Sequence, residues 1–213
     1  MKKAKAHIRY RNKENKIVPG VTTILGVMAK PALIPWANKI GLQGYELNKY
    51  VDILADAGTL AHRMIECHLK KIEIDTDEYS KENIDMAENA FLKYLDWEKM
   101  HEMSLIFSEA GLVSDVHSYG GTIDSYFQFE GNKKVLIDFK TSKAIYNEME
   151  TQVIAYKMLL EEHGHPVDEC YILRIGRTED EGFEFKRITK EELHKERFLN
   201  CLNIYRLNKE LRK

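Results

Sequence analysis

Two short runs carry the residues best suited to chemistry: Gly120-Gly121-Thr122-Ile123-Asp124 and Ile137-Asp138-Phe139-Lys140-Thr141. In an extended strand, residues 138 and 140 point to one face and Phe139 to the other. The preceding Val135-Leu136-Ile137 is apolar on both faces, as a central buried strand requires. A carboxylate and an ammonium in such a strand are costly unless paired or bound to something. Asp124 ends a similar apolar, glycine-led strand. Two carboxylates on adjacent strands beside a lysine make a site for a hard divalent cation, with a charge-neutralising partner at hand. The acid-x-lysine triplet by itself selects nothing, because it also occurs at Glu14-Asn15-Lys16 and Glu184-Phe185-Lys186.

The geometry imposes a register. For Asp124 and Asp138 to share a face of a hairpin, paired positions must sum to an even number, such as 262. A two-residue turn at Gly131-Asn132 gives 263 and puts the acids on opposite faces. The site therefore requires an odd loop, such as Glu130 to Asn132, or a bulge.

Other candidates surround these runs. Glu109 alternates with Leu105, Phe107, Gly111 and Val113 and so shares a strand face with apolar residues; a buried acid paired with an arginine fits the same pattern. His62 and Glu66 are four apart on a helix and share a face, as a surface pair also would. Gly58, one turn earlier, leaves room for another backbone to approach. Gln152 and Tyr156 repeat the four-residue spacing on the helix after the Asp-x-Lys strand, where ordinary amphipathic edge residues also fit.

The elements that must position these groups are legible from periodicity. Val21 to Met28 follows a Pro-Gly turn, and Pro31 opens a helix carrying Trp36, Ala37 and Ile40. Residues 51–71 and 81–102 repeat apolar positions at helical spacing. Near residue 104 the period changes. SLIFSEAGLVSD, GTIDSYFQF and KKVLIDFKT read as three antiparallel strands, 146–163 as a helix, CYILRI and GFEFKRI as two more strands, and 190–212 as a last helix capped by Thr189 or a neighbour. This is an α/β layout with one sheet, not a Rossmann pattern. It implies a single domain over 1–213, mainly helical up to 103 and holding the sheet from 104 onward.

With 32 basic and 34 acidic side chains the net charge is −2, which at first argues against a nucleic-acid partner. That balance conceals segregation. Residues 1–16 carry seven cations, Lys2, Lys3 and Lys5 among them, against Glu14, a local +6; residues 72–102 carry ten acids against three lysines, a local −7; the last eight residues are basic. Cys67, Cys170 and Cys201 are too scattered for a zinc site or a disulfide framework and read as reduced, buried thiols of a cytosolic protein. Neither a signal peptide nor a membrane span is legible. No Walker A loop, GxGxxG, GxSxG or HExxH occurs.

Taken in order, Gly58…His62…Glu66, Glu109, Gly121-x-x-Asp124, Asp138-Phe139-Lys140-Thr141 and Gln152…Tyr156 resemble the motifs of the PD-(D/E)XK nuclease superfamily, in its RecB-like and phage-type exonuclease clade. The match runs from about residue 19 to 160; Ile123 stands where the superfamily name has proline, and no helicase motif is present. The resemblance favours Asp138-Phe139-Lys140 over Glu184-Phe185-Lys186, which no Gln-x-x-x-Tyr helix follows. It implies a central mixed β-sheet flanked by helices, a restriction-endonuclease-like core, with an N-terminal helical annex. It implies Mg²⁺ or Mn²⁺ held by Asp124, Asp138, the Phe139 carbonyl and His62, with Glu109 contacting the metal through water or holding a second ion. Lys140 would orient or deprotonate the attacking water, Gln152 hold Lys140 or a phosphate, Tyr156, Thr141 and Trp36 contact the strand, and Glu66 support His62. The four-cysteine iron–sulfur cluster of some relatives has no counterpart among three cysteines. The implied activity is DNA exonucleolysis from linear ends, single-stranded or resected, in recombination, repair or replication. It would act in the cytoplasm of a prokaryotic or phage-infected cell, beside a possible helicase or annealing protein. A structure- or site-specific endonuclease, an RNA-directed nuclease and a non-catalytic DNA-binding module are the alternative readings.

Overall fold

A computed structural model describes residues 9–212; Lys2, Lys3 and Lys5 of the basic arm lie outside the described residues. The chain opens with a small hairpin, β1 (Tyr10–Arg11) and β2 (Ile17–Val18), which periodicity did not reveal because each strand is two residues long. Four helices follow: α1 (Val21–Leu25), α2 (Leu33–Leu42), α3 (Leu47–Lys70) and α4 (Lys81–Glu98). Then come β3 (Met103–Ser114), β4 (Tyr119–Phe129), β5 (Lys134–Lys140), α5 (Asn147–Glu162), β6 (Glu169–Ile175), β7 (Phe183–Arg187) and α6 (Glu191–Glu210).

The five long strands form one sheet in the order β3-β4-β5-β6-β7. All neighbours are antiparallel except β5 and β6, which run parallel because α5 carries the chain back between them. One face of the sheet is covered by α1, α5 and α6, through Ile24, Leu159, Phe198 and their neighbours. The other is covered by α3 and α4, through Leu60, Ile65, Tyr94 and Trp97. The protein is thus mixed α/β, a five-stranded mixed sheet between two helical layers. Among the described residues, no helix is long and apolar enough to cross a membrane.

β5 has the central character its sequence implies. Val135, Ile137 and Phe139 pack toward α3 and α4 and Leu136 toward α5, all nearly without exposure. Helix ends follow local rules in part. Ser80 caps α4 by accepting Asn83 N–H at 3.2 Å. Thr189 does not cap α6: Lys190 precedes the helix in the left-handed conformation with no side-chain cap, and Glu191 and Glu192 supply negative charge to the first turn instead.

The β4–β5 hairpin closes with the odd loop that the site requires. A single 3₁₀ turn, Glu130–Asn132, joins the strands, with Gly131 and Asn132 at positive φ. Pairing runs from Ser125↔Ile137 to Gln128↔Lys134, so paired positions sum to 262, the even register that an odd loop gives.

β3 and β4 each change phase beside the site. Leu105 packs toward α3 and α4, whereas Phe107 and Leu112 both pack toward α5. A bulge between Leu105 and Phe107 explains the first change, and Glu109, at φ 53°, the second. On β4, Ile123 and Tyr126 lie on the α5 side and Phe127 on the other. Simple alternation of Glu109 with Leu105 and Phe107 is therefore incorrect, because the strand is not regular there. A non-glycine residue held at positive φ costs about 1–3 kcal/mol, a strain that tends to persist where a side chain must be aimed.

Candidate active site

The site forms where β4 and β5 part. Their ladder stops short of Asp124, and past its end Asp124 Oδ2 accepts the N–H of Phe139 at 2.9 Å. Glu109 lies between the Ser108↔Ser125 and Ala110↔Ile123 pairs, directly across β3 from Asp124. His62 arrives from α3, with Nδ1 3.6 Å from Asp124 Oδ2 and its ring edge-on to Phe139, centroids 6.0 Å apart. One ligand atom each from His62, Glu109 and Asp124 lies within 4.8 Å of the others, a spacing compatible with a shared metal ion. Asp138, 1% exposed, forms an ion pair through Oδ2 with Lys140; among the described residues no hydrogen-bond donor reaches its buried Oδ1. A buried carboxylate oxygen without a donor is costly and marks a place where a cation fits.

The charges are tuned by burial and by each other. Burial raises the Asp138 carboxyl to about 6, Asp124 adding repulsion and Lys140 acting against both. Burial also raises Asp124, although Lys140 and the Phe139 amide partly offset it. Burial works against the Lys140 ammonium, but Asp138 and Asp124 more than compensate and raise its pKa. Burial and then Lys140 lower His62 to about 4, leaving a neutral imidazole with a lone pair available near neutral pH.

Glycines let the surrounding parts close in. A Cβ on Gly58 would stand 2.9 Å from Thr141 Oγ1. What approaches α3 there is a side-chain hydroxyl, not the backbone expected. A Cβ on Gly121 would stand 2.5 Å from the Tyr156 ring, so α5 lies directly on β4. On the other side of the same strand segment, the Tyr10 ring covers Gly120, and Tyr10 Oη is 2.9 Å from Thr122 Oγ1.

The remaining candidates separate. Gln152 Nε2 donates to Tyr156 Oη at 2.8 Å, joining the two α5 residues to each other. Glu66 does not serve His62: it binds Arg63 at 2.6 Å and Lys70 at 2.7 Å, because one turn of helix offers it two cations closer than the imidazole. Trp36 is half-buried on α2 beside Tyr50, ring centroids 6.3 Å apart, in a group with Tyr45 and outside the carboxylate cluster.

A cleft of about 350 Å³ opens over the site, lined by Val51, Leu54, Ala55 and His62 from α3, by Phe139 to Ser142, and by Arg177. Sequence reasoning missed Arg177 and the α3 wall. Arg177 follows β6, and only the parallel pairing of β5 with β6, Lys140 opposite Arg174, brings the two together.

No protein-family model and no curated protein matches the chain. Among solved structures, it is similar to a Eubacterium rectale protein described as a "Putative exonuclease", with 13% identity and a TM-score of 0.42 over 69% of this chain and 68% of that one. It is also similar to SSO0001, with 15% identity and a TM-score of 0.36 over 69% and 84% of the two chains. These are loose likenesses of fold alone.

Proposed function

We propose that the chain is a metal-dependent deoxyribonuclease of the PD-(D/E)XK type, working as an exonuclease on DNA ends. The observation that carries this reading is the convergence of Asp124, Asp138, Lys140 and His62 where β4 and β5 part, with a buried Asp138 oxygen lacking a donor. Hydrolysis of a phosphodiester needs an activated water and positive charge against the developing oxyanion. Asp124, Asp138, His62 and the Phe139 carbonyl would hold Mg²⁺ or Mn²⁺, with Glu109 contacting it through water or taking a second ion. Such an ion lowers the pKa of water and neutralises phosphate charge when bound. Hard oxygen donors suit both ions, and a neutral imidazole suits Mn²⁺.

The protein's own groups do the rest. Lys140, an ammonium beside Asp138, orients the attacking water and faces the phosphate. The Phe139 amide fixes the Asp124 carboxylate. Tyr156, oriented by Gln152, and Thr141 line the path of the strand, and Trp36 offers a ring on which an unpaired base stacks. The apolar α3 wall excludes water from one side of the cleft. The basic arm at residues 1–16 and the basic end of α6 add phosphate grip, and the acidic 72–102 segment faces away from DNA. In this reading residues 1–213 form one nuclease domain of the phage type, serving recombination, repair or replication beside a helicase or annealing partner.

The deciding experiment digests end-labelled linear DNA, single- and double-stranded, with Mg²⁺, Mn²⁺ or EDTA, beside covalently closed circular DNA. Expected are metal-dependent loss of linear DNA, intact circles, and no activity for Lys140→Ala. Cut circles would assign an endonuclease. Inactivity of wild type on every DNA form would leave a binding module.

A further inference from the structure

We propose that Arg177 is a second phosphate contact of the cleft, binding the backbone of the DNA strand held there; the proposal rests on the nuclease reading and adds a substrate-positioning residue to it.

β5 and β6 run parallel, so their carboxyl ends open onto the same edge of the sheet, and the loops that follow stand side by side. Ligands of open α/β sheets bind outside such carboxyl ends. The loop after β5 supplies Thr141 and Ser142 to the cleft, and the loop after β6 supplies Arg177. Among the described residues, the cationic side chains lining the cleft are Lys140 and Arg177, and Lys140 already faces Asp138. A strand entering with its charged backbone therefore also meets a guanidinium in the cleft lining, whose planar fork matches two phosphate oxygens at once.

Arg177 is paired with Glu181, but its guanidinium contacts to that carboxylate are long. Glu181 takes its strongest hydrogen bond from the Arg177 backbone N–H, at 2.8 Å. The guanidinium reaches the same carboxylate only at 3.5 Å through Nε and 3.4 Å through Nη2, beyond the usual range of about 2.7–3.2 Å. The side chain is 9% exposed, so its direction is set by packing. The loop is itself anchored: Lys93 Nζ donates to the carbonyls of Gly176 and Thr178, and Arg174 Nη1 donates to the Glu181 carbonyl at 2.7 Å. Gly176 allows the tight fold, since a Cβ there would stand 2.4 Å from Glu181 Cβ. A fixed loop presenting a loosely paired guanidinium to a cleft suits a ligand whose charge replaces or joins that of Glu181.

The test compares wild type, Arg177→Ala, Arg177→Lys and Glu181→Gln for binding of a fluorescent single-stranded DNA oligonucleotide in EDTA, across a salt titration, and for steady-state cleavage. Melting curves monitor folding. Arg177→Ala is expected to bind about tenfold more weakly, with the salt slope shallower by about 0.7, and to raise KM more than it lowers kcat. Arg177→Lys recovers part of the affinity. Glu181→Gln, which loosens the loop but leaves the cation, binds as tightly as wild type or more tightly. If Glu181→Gln loses affinity as Arg177→Ala does, the pair serves only the loop and the proposal fails. It fails also if wild type cleaves DNA and Arg177→Ala binds with unchanged affinity and salt slope. Absence of both binding and cleavage in wild type would remove the nuclease reading and this proposal with it.

Discussion

Asp124 Oδ2 accepts the main-chain N–H of Phe139 at 2.9 Å, so the first acid of the site is held by the residue between the second acid and the lysine. This bond continues the contact between β4 and β5 past the end of their ladder. Asparagine can accept the same bond through its amide oxygen, whereas alanine cannot. Asp124→Asn should melt within a few degrees of wild type and lose metal-dependent cleavage. Asp124→Ala should lose cleavage and also about 1–2 kcal/mol of stability. Equal stability of the two variants, read by urea denaturation in EDTA, would show that the bond contributes nothing.

Lys140 is in ion contact with Asp138, which is almost fully buried. Removing one partner of a buried pair typically costs about 3–5 kcal/mol, because the other charge is left uncompensated. Lys140→Met should be destabilised accordingly, with a definite pH dependence. The folded-state pKa of Asp138 is already raised to about 6 and should rise further in the variant. A raised carboxyl pKa contributes stability that is present below the unfolded value, about 4, and lost as pH rises through the folded one. The deficit of Lys140→Met relative to wild type should therefore be large at about pH 8 and shrink toward about pH 4. A deficit independent of pH would contradict an uncompensated Asp138.

Metal affinity should follow the same carboxyl. A hard cation competes with the proton on Asp138, so Mn²⁺ binding should weaken by up to tenfold for each unit that pH falls below about 6. His62, lowered to about 4, is already neutral over most of that range and adds little proton competition until about pH 4 is approached. Calorimetric titration with Mn²⁺ between about pH 5 and about pH 8 checks this, since the heat and the proton release both report on it. Constant affinity across the range would place Asp138 outside the metal's reach.

Gly58 and Thr141 should be coupled. Alanine at 58 gains about 0.5–1 kcal/mol of helix propensity but brings its Cβ to 2.9 Å from Thr141 Oγ1. Gly58→Ala alone should therefore gain little stability or lose some. Combined with Thr141→Ala, which removes the opposing oxygen, the propensity gain should appear. A double-mutant cycle should give a coupling of about 1 kcal/mol, and additivity within about 0.3 kcal/mol would refute the contact.

Much of the architecture is legible in local pattern. β5 announces itself by an apolar run buried on both faces, and α3 by helical spacing of Leu60, Ala61, Met64 and Ile65. The hairpin register could be argued from parity alone, and the Glu130–Asn132 turn is the odd loop that the argument demanded. What escaped were departures from regularity. Glu109 at positive φ and the bulge after Leu105 reset the alternation of β3, and an amphipathic count assumes that no such reset occurs. Glu66 escaped for a related reason: helical spacing places His62 on its face but cannot tell which of three nearby cations or rings it will choose.

By itself the sequence determined the element types, the centrality of the Asp138–Lys140 strand and the even register of the β4–β5 hairpin. These depend on period, parity and burial, which are local. Only the tertiary structure decided that His62 crosses from α3 to Asp124, that Glu109 stands opposite it, that Tyr156 lies on Gly121, and that Arg177 shares the cleft with Lys140. Each of those contacts joins residues far apart in the chain. Their proximity is set by strand order and by how closely helices can approach glycines, and neither is encoded at any single position.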